Sequence, residues 1–526
     1  MPLLHHEPKR PLIRPTRRGV IGGGAAGLAA GFGAGLPWPA TAQAPTRGGT
    51  LRVGLQEGST SDSLDPQTYT GFMSLALGFA THNTLTEIAP GGELVGDLAE
   101  EWEANADASV WTFRLRPGVE FHDGKPLEVE DVIASLDLHR GEDSKSAAKP
   151  NVAPIQAMRK RDERTLVFEL DAPNADFPFL MADYHLLVFP AVDGESRWRD
   201  YVGTGGYVLE RFDPGVSARL TRHPNYWKDG RAWFDAVEIT VLPDANARQA
   251  ALLTGDVDVI SRLDLKTVGL LSRRPGLRVE EATGFIHYTA PMITTASPFE
   301  SNELRLAIKH GIDRQELLDK ILFGHGVLAS DQPIGPNVPF HADLPQRERD
   351  PDKARFHLKK AGLENVTLDL SAADTAYAGA VDAAVLMKEQ LRPVGIDVNV
   401  VREPNDGYWS NVWMKKPWCQ AYWGGRPTCD WMFSTAYKAD ANWNDTFWDH
   451  ERFNRLLLEG RSELDPAKRA EIYGEMQRIV SEEGGQIVWS FANYVYAMAD
   501  RVRHEEEVAA NWMMDGGRFI ERWWLA

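Results

Sequence analysis

At 526 residues, with 43% apolar and 25% charged side chains, the chain has the composition of a globular protein large enough for two or three domains. Its formal charge of −18 is offset by no basic tract, which excludes nucleic acid and anionic lipid as partners.

Thr16-Arg17-Arg18-Gly19-Val20-Ile21 opens a glycine-broken apolar run that reaches Leu36 and is followed by Pro37, Pro39 and Ala40-Thr41-Ala42. Paired arginines ahead of a weakly apolar stretch resemble a twin-arginine signal, which exports folded proteins across the bacterial inner membrane. The expectation for residues 1–42 is a signal peptide cut after Ala42, leaving a soluble periplasmic protein. A lipid anchor would need a cysteine at the cut, and the first cysteine is Cys419. Gly22-Gly23-Gly24-Ala25-Ala26-Gly27 also satisfies G-x-G-x-x-G, but a dinucleotide site wants a strand before it and an acid about twenty residues later. The next acid after Glu7 is Glu57, so no cofactor is expected.

Thr50 to Leu55 alternates like a strand, and Asp62-Ser63-Leu64-Asp65-Pro66 reads as a turn. Val110 to Leu115 is a second strand, followed by turns at Pro117-Gly118 and Asp123-Gly124 and a helix from Glu128 to His139. Leu166, Phe168 and Leu170 share one face of a third strand. Gly203-Thr204-Gly205-Gly206-Tyr207 turns into another strand. A strand at Val237, Ile239 and Val241, a helix from Asn246 to Thr254 stopped by Gly255, and a return to sheet at 257–260 predict a parallel crossover. Leu304, Ala307, Ile308, Ile312 and Leu318 keep helical spacing across 302–323. Asp350 caps a helix with Pro351 at its first position and Gly362 at its end, and a helix from Ala380 to Leu391 precedes a strand at Ile396, Val398 and Val400. The pattern is mixed α/β throughout.

The block from Trp111 to Val132 (WTFRLRPGVEFHDGKPLEVEDV) resembles the signature of the extracytoplasmic solute-binding proteins that serve peptide, opine and nickel ABC importers, solute-binding family 5. Further matches run in the family's order: Ser63-Leu64-Asp65-Pro66, Gly203 to Tyr207 with Asn225-Tyr226-Trp227, Asp256-Val257-Asp258, and Leu304 to Ile308 running into Ile312-Asp313-Arg314. The resemblance implies an α/β fold of the periplasmic-binding-protein type II-like kind, two lobes around a ligand cleft with an extra inserted domain. The implied limits are 43–84, 200–290 and 497–526 for one lobe, 85–199 for the insertion and 291–496 for the other lobe, with hinges near Ala290 and Tyr496. It implies a monomeric receptor, not an enzyme, that captures a peptide or amino-acid-derived solute by hinge closure and delivers it to an ABC permease. A periplasmic hydrolase, a nickel-chelate receptor and an oligosaccharide receptor are the alternatives.

In peptide-binding members of that family an acid in a region comparable to 423–433 holds the ligand ammonium, which makes Asp430 the candidate for the cation. Arg426 offers a planar fork for a carboxylate, and Trp423 and Trp431 offer flat walls. The bland alternative is that Arg426 and Asp430 pair with each other while the tryptophans fill the core. Glu57 and Asp65 on early loops, and Tyr408 and Trp409 after Asn405-Asp406-Gly407, are further cleft candidates. Cys419 and Cys429 are the only cysteines, and a disulfide between them suits an oxidising compartment, two free thiols being the other reading. The fourteen histidines form no ligand cluster and no G-x-S-x-G elbow occurs, so neither a metal site nor a nucleophile is expected.

Overall fold

Two long antiparallel strands, Leu277–Thr289 and Val488–Ala499, run through the molecule and carry one sheet from one half to the other. The computed structural model describes residues 45–526 other than 70, 142 and 143, so the twin-arginine motif, the glycine run and the cut at Ala42 lie outside the described residues. The sheet runs in the order Tyr207–Asp213, Ser217–Arg222, Ala236–Val241, Thr50–Leu55, Val259–Ile260, Val488–Ala499, Leu277–Thr289, Ala421–Trp423, with Gly326–Leu328 also paired to Val488–Ala499. Thr50–Leu55 is flanked in parallel by Ala236–Val241 and Val259–Ile260. The helix Ala245–Thr254 between those two flanks is therefore a parallel crossover that passes over the first strand. Asp244 starts it by accepting from Ala247 N at 2.8 Å, and Gly255 stops it in the left-handed conformation (φ +79°).

A separate antiparallel sheet, Ala99–Ala104, Val110–Leu115, Thr165–Leu170, Ile155–Lys160, packs with the helix Val129–Asp137. Alternation puts Trp111 opposite Phe168 and Phe113 opposite Leu166, and the buried faces close a core of their own with Phe121, Val132 and Phe177. In the other half, Val366–Ala372 and Ile396–Arg402 pair in parallel, joined by the helix Ala380–Leu391. The apolar spacing across 302–323 belongs to two helices, Asn302–Gly311 and Arg314–Ile321. The break falls at Asp313, whose side chain accepts from Glu316 N at 3.0 Å and starts a second helix instead of continuing the first.

The glycines at 203 and 205 are required by a close approach. A Cβ at Gly203 would stand 2.0 Å from Thr81 O, and one at Gly205 2.4 Å from Thr81 C. The paired long strands lose register between Thr283 and His287, a bulge facing Phe491 and Asn493. Residues on one side of it (Tyr494, Tyr496, Met498) belong to the core that contains Thr50–Leu55, and those on the other (Trp489, Ala492) to the core that contains Val366–Ala372.

The expected disulfide is absent: Cys419 and Cys429 are both free, buried thiols. They belong to different apolar cores, and Cys429 Sγ instead donates to Pro339 O at 3.2 Å.

Burial holds His122, His139, His287 and His310 down at about 4. Between about 6.5 and 4 the unfolded chain takes up protons that these folded-state rings refuse. Stability should therefore fall as pH falls through that window, by at most about 1.4 kcal/mol per group and pH unit, and be level in this respect above it. Asp445, raised by burial to about 7, and His185, held up by Asp183, work in the opposite sense, while His82 and His223, also lowered by burial, add to the four. Thermal melts at pH 7 and pH 5 check this: a lower midpoint at pH 5 is expected, and an equal or higher one contradicts it.

Candidate functional site

A cavity of about 610 Å³ is walled chiefly by three segments far apart in sequence, with Ile88, Ala147, Pro150, Asn151 and Phe285 completing the lining. The first is the turn Asp183-Tyr184-His185 after the short helix Phe177–Leu180; the second runs from Gly424 through the helix Cys429–Ala436 to Trp443; the third is Asn511-Trp512. The volume lies in the range that encloses a small organic solute.

The second wall is built locally. The chain leaves the strand Ala421–Trp423 at Gly424 and turns at Gly425, whose φ of +68° and lack of a side chain let it lie on Phe285; a Cβ there would be 2.4 Å from Phe285 Cβ. Gly424 has open space where a side chain would be, so its backbone is bare to the cavity. Thr428 then caps the helix Cys429–Ala436, its Oγ1 accepting from Trp431 N at 3.2 Å, and this aims Trp431 at the cavity. Trp431 also packs against the core of the inserted sheet.

Arg426 projects from this turn onto the wall. Its guanidinium donates to Gly425 O at 2.6 Å and stands 5.9 Å from the Trp431 ring centre, and among the described residues it forms no ion pair. Burial lowers its pKa, opposed in part by the charge of Asp183. A half-desolvated guanidinium without a carboxylate is an anion receptor. Opposite, Asp183 pairs with His185. Its Oδ1 accepts from His185 N at 2.9 Å and from His185 Nδ1 at 2.6 Å, and its Oδ2 accepts from Asn151 Nδ2 at 3.2 Å. Burial raises Asp183, but the His185 hydrogen bond and charge outweigh it and hold it below the usual range; burial lowers His185, but Asp183 outweighs that and holds the ring above its ordinary value. His185 Nε2 faces Tyr69 O at 3.1 Å. Both ring nitrogens thus face acceptors, the arrangement of an imidazolium.

Aromatic faces complete the enclosure. Tyr184 lies 4.0 Å from the His185 ring and meets Trp512 edge-on at 5.5 Å. Trp443 and Trp512 line the cavity while remaining 51% and 40% exposed, surface held for something to cover.

Of the residues proposed from sequence, Arg426 and Trp431 line this cavity and the other six do not. Asp430 turns its carboxylate to Arg461 at 3.0 Å and to Ser434. Trp423 is buried behind the wall, its Nε1 donating to Asp445 at 3.2 Å and its ring 6.1 Å from Trp443, so it supports the face that Trp443 presents. Tyr408 is a core residue whose Oη donates to Gln420 O at 2.7 Å, and Trp409 is 37% exposed in an edge-on cluster with Trp413 and Tyr422. Glu57 pairs with Arg262 at 2.6 Å and accepts from Phe72 N at 3.1 Å, and Asp65 caps the turn Pro66–Thr68. Sequence reasoning missed Asp183, Tyr184, His185, Trp443 and Trp512 as lining residues. Only Trp443 carried a signal, its place in the tryptophan-rich stretch 409–448. Among the described residues no group of three or more His, Cys, Asp or Glu is placed to hold a metal, and no helix is long and apolar enough to cross a membrane.

The chain is 27% identical over 466 residues to di/tripeptide-binding protein 2 of Pseudomonas aeruginosa, covering 80% of this chain and 86% of that one. In fold it is similar to HbpA2 from Haemophilus parasuis, with a TM-score of 0.78 at 22% identity over 87% of this chain and 96% of that one. It is similar also to AgaA from A. tumefacien R10, solved in complex with agropinic acid, with a TM-score of 0.73 at 24% identity over 91% of this chain and 99% of that one. The architecture is thus the α/β two-lobed binding-protein fold with an inserted domain. Residues 93–445 match the middle region of family 5 of the bacterial extracellular solute-binding proteins, and with two thirds of its length so matched the chain belongs to that family, the substrate-binding receptors of importers.

Proposed function

We propose that the protein is a periplasmic receptor that captures a peptide or amino-acid-derived solute and hands it to an ABC permease, with Arg426 as the anchor for the solute's carboxylate. The observation that carries this reading is a part-buried guanidinium on a cavity wall that forms no ion pair among the described residues. In this reading Trp431, Trp443 and Trp512 sandwich the body of the solute. The lobes, with the limits 43–84, 200–290 and 497–526 against 291–496 and the insertion 85–199, close by bending at the bulge between Thr283 and His287, which lies before Ala290 and, on the partner strand, before Tyr496. Export by the twin-arginine route with cleavage after Ala42 belongs to the same proposal. Nothing in it requires bond making.

A charge-assisted hydrogen bond contributes about 1.5–3 kcal/mol, so Arg426→Ala should weaken a carboxylate ligand by about ten- to a hundred-fold while the ligand-free melting point changes little. Calorimetric titration of both proteins with a panel of peptides and opines reads this directly. Equal affinity in the two proteins would place the carboxylate anchor elsewhere.

A further inference from the structure

A ligand that carries a free α-ammonium needs a carboxylate in the cavity whose charge is not already balanced. The charged groups lining the cavity are Asp183, His185 and Arg426. Asp183 and the imidazolium of His185 neutralise each other at 2.6 Å, and Asn151 donates to the second Asp183 oxygen at 3.2 Å. What is left is one net positive charge, on Arg426. The acids that might have received an ammonium from nearby are engaged as well: Asp430 by Arg461, and Glu57 by Arg262 and the Phe72 amide. An ammonium entering this cavity would be desolvated beside a guanidinium with no anion to compensate, which is the unfavourable case for a buried charge. Neutral polar atoms fare differently. Asn442, Asn511, Ser434 and Thr435 offer uncharged donors and acceptors of the kind an amide nitrogen or carbonyl needs.

Resting on the reading of Arg426 as the carboxylate anchor, we infer that the solute is a net anion: an amino-acid- or peptide-derived carboxylate whose nitrogen is acylated or otherwise uncharged, and not a free dipeptide zwitterion. The charge on the nitrogen is the discriminating feature, since carboxylate and side chains are held constant between the two forms.

The experiment is isothermal titration of the intact mature protein with three matched sets built on Ala-Phe, Gly-Leu and Ala-Gln, each as the free dipeptide, the N-acetyl dipeptide and the N-acetyl dipeptide amide. In at least one set the N-acetyl acid should bind tenfold or more tighter than the free dipeptide, and its amide should lose that binding. A free dipeptide that binds as tightly as its N-acetyl form overturns the inference and leaves Arg426 as anchor intact. An amide that binds as tightly as the acid overturns the anchor itself. Absence of binding by every member overturns both, because the cavity would then not be a site for peptide-derived carboxylates.

Discussion

Replacing Arg518 by methionine should lower stability by about 3–5 kcal/mol, the range for removing one partner from a buried ion network. Arg518 is almost inaccessible and reaches Glu87 at 3.2 Å, Asp97 at 3.3 Å and Glu521 at 3.2 Å. Lys228 reaches the same three acids at 2.6, 2.9 and 3.0 Å, and Arg522 joins Glu87 at 2.7 Å to Asp515 at 2.6 Å. Four carboxylates therefore face three cations in a closed space, and the balance is already strained: burial raises Asp97, although Lys228 and Arg518 pull it down. Without Arg518 two cations remain for four acids, and protonation of Asp97 relieves only part of the excess. The network ties the entry to the inserted domain, residues 83–97, to the C-terminal residues 515–522, so the loss should appear as cooperative unfolding at lower temperature. At about 2 °C per kcal/mol for a unit of this size, the midpoint should drop by about 6 °C or more. Arg114→Met, which removes exposed pairs to Glu100 and Glu101, is the control and should change it by about 1 kcal/mol or less. Equal midpoints for the two variants would show that the buried network contributes no more than a surface pair.

That network marks where sequence reading stops. Strands such as Val110–Leu115 are legible because alternation alone decides which face is buried, and helix starts at Asp244 and Asp350 are legible because a cap acts on a backbone amide two or three residues away. Contacts of Arg518 with Asp97 span 421 residues, and no local pattern encodes them. The cavity has the same character. Gly424 to Trp431 is legible because the family resemblance points to the region 423–433, where an arginine and tryptophans then stand out; Asp183 to His185 and Asn511-Trp512 stand in segments whose spacing is unremarkable, brought to the cavity only by the fold. Asp430 shows the same limit: the resemblance implies an acid in this region for a ligand ammonium, but the cation that engages it here, Arg461, lies 31 residues on, one helix away.

Asp430 belongs instead to a contact that bears on closure. Asp176, at the edge of the inserted core, pairs with Arg469 of the opposite half at 2.6 Å, both almost fully buried, and Ala175 N donates to Arg461 O at 2.8 Å beside it. On the proposed lobe limits these bonds link the insertion to the 291–496 lobe outside the cavity, so hinge opening as proposed would break them. If the halves part, Asp176 and Arg469 each regain water, and the net worth of the intact pair is small because desolvation offsets attraction. Truncating one partner is different: Asp176→Ala leaves Arg469 buried and uncompensated in the closed form alone, a penalty of about 2–5 kcal/mol. Stacking of the guanidinium at 4.9 Å from the Phe340 ring centre and 5.4 Å from that of Tyr473 softens this toward the lower end. The apparent affinity for a closing ligand scales with the population of the closed form, so Asp176→Ala should weaken binding by about a hundred-fold although Asp176 does not line the cavity. Most of the change should fall on the dissociation rate, with association nearly unaltered. Asp176→Ala combined with Arg469→Met removes the stranded charge and should recover most of the affinity, which a double-mutant cycle on titration and stopped-flow rates will quantify. A single variant that binds within twofold of the parent, or a double variant no better than the single, would mean that closure does not depend on this pair.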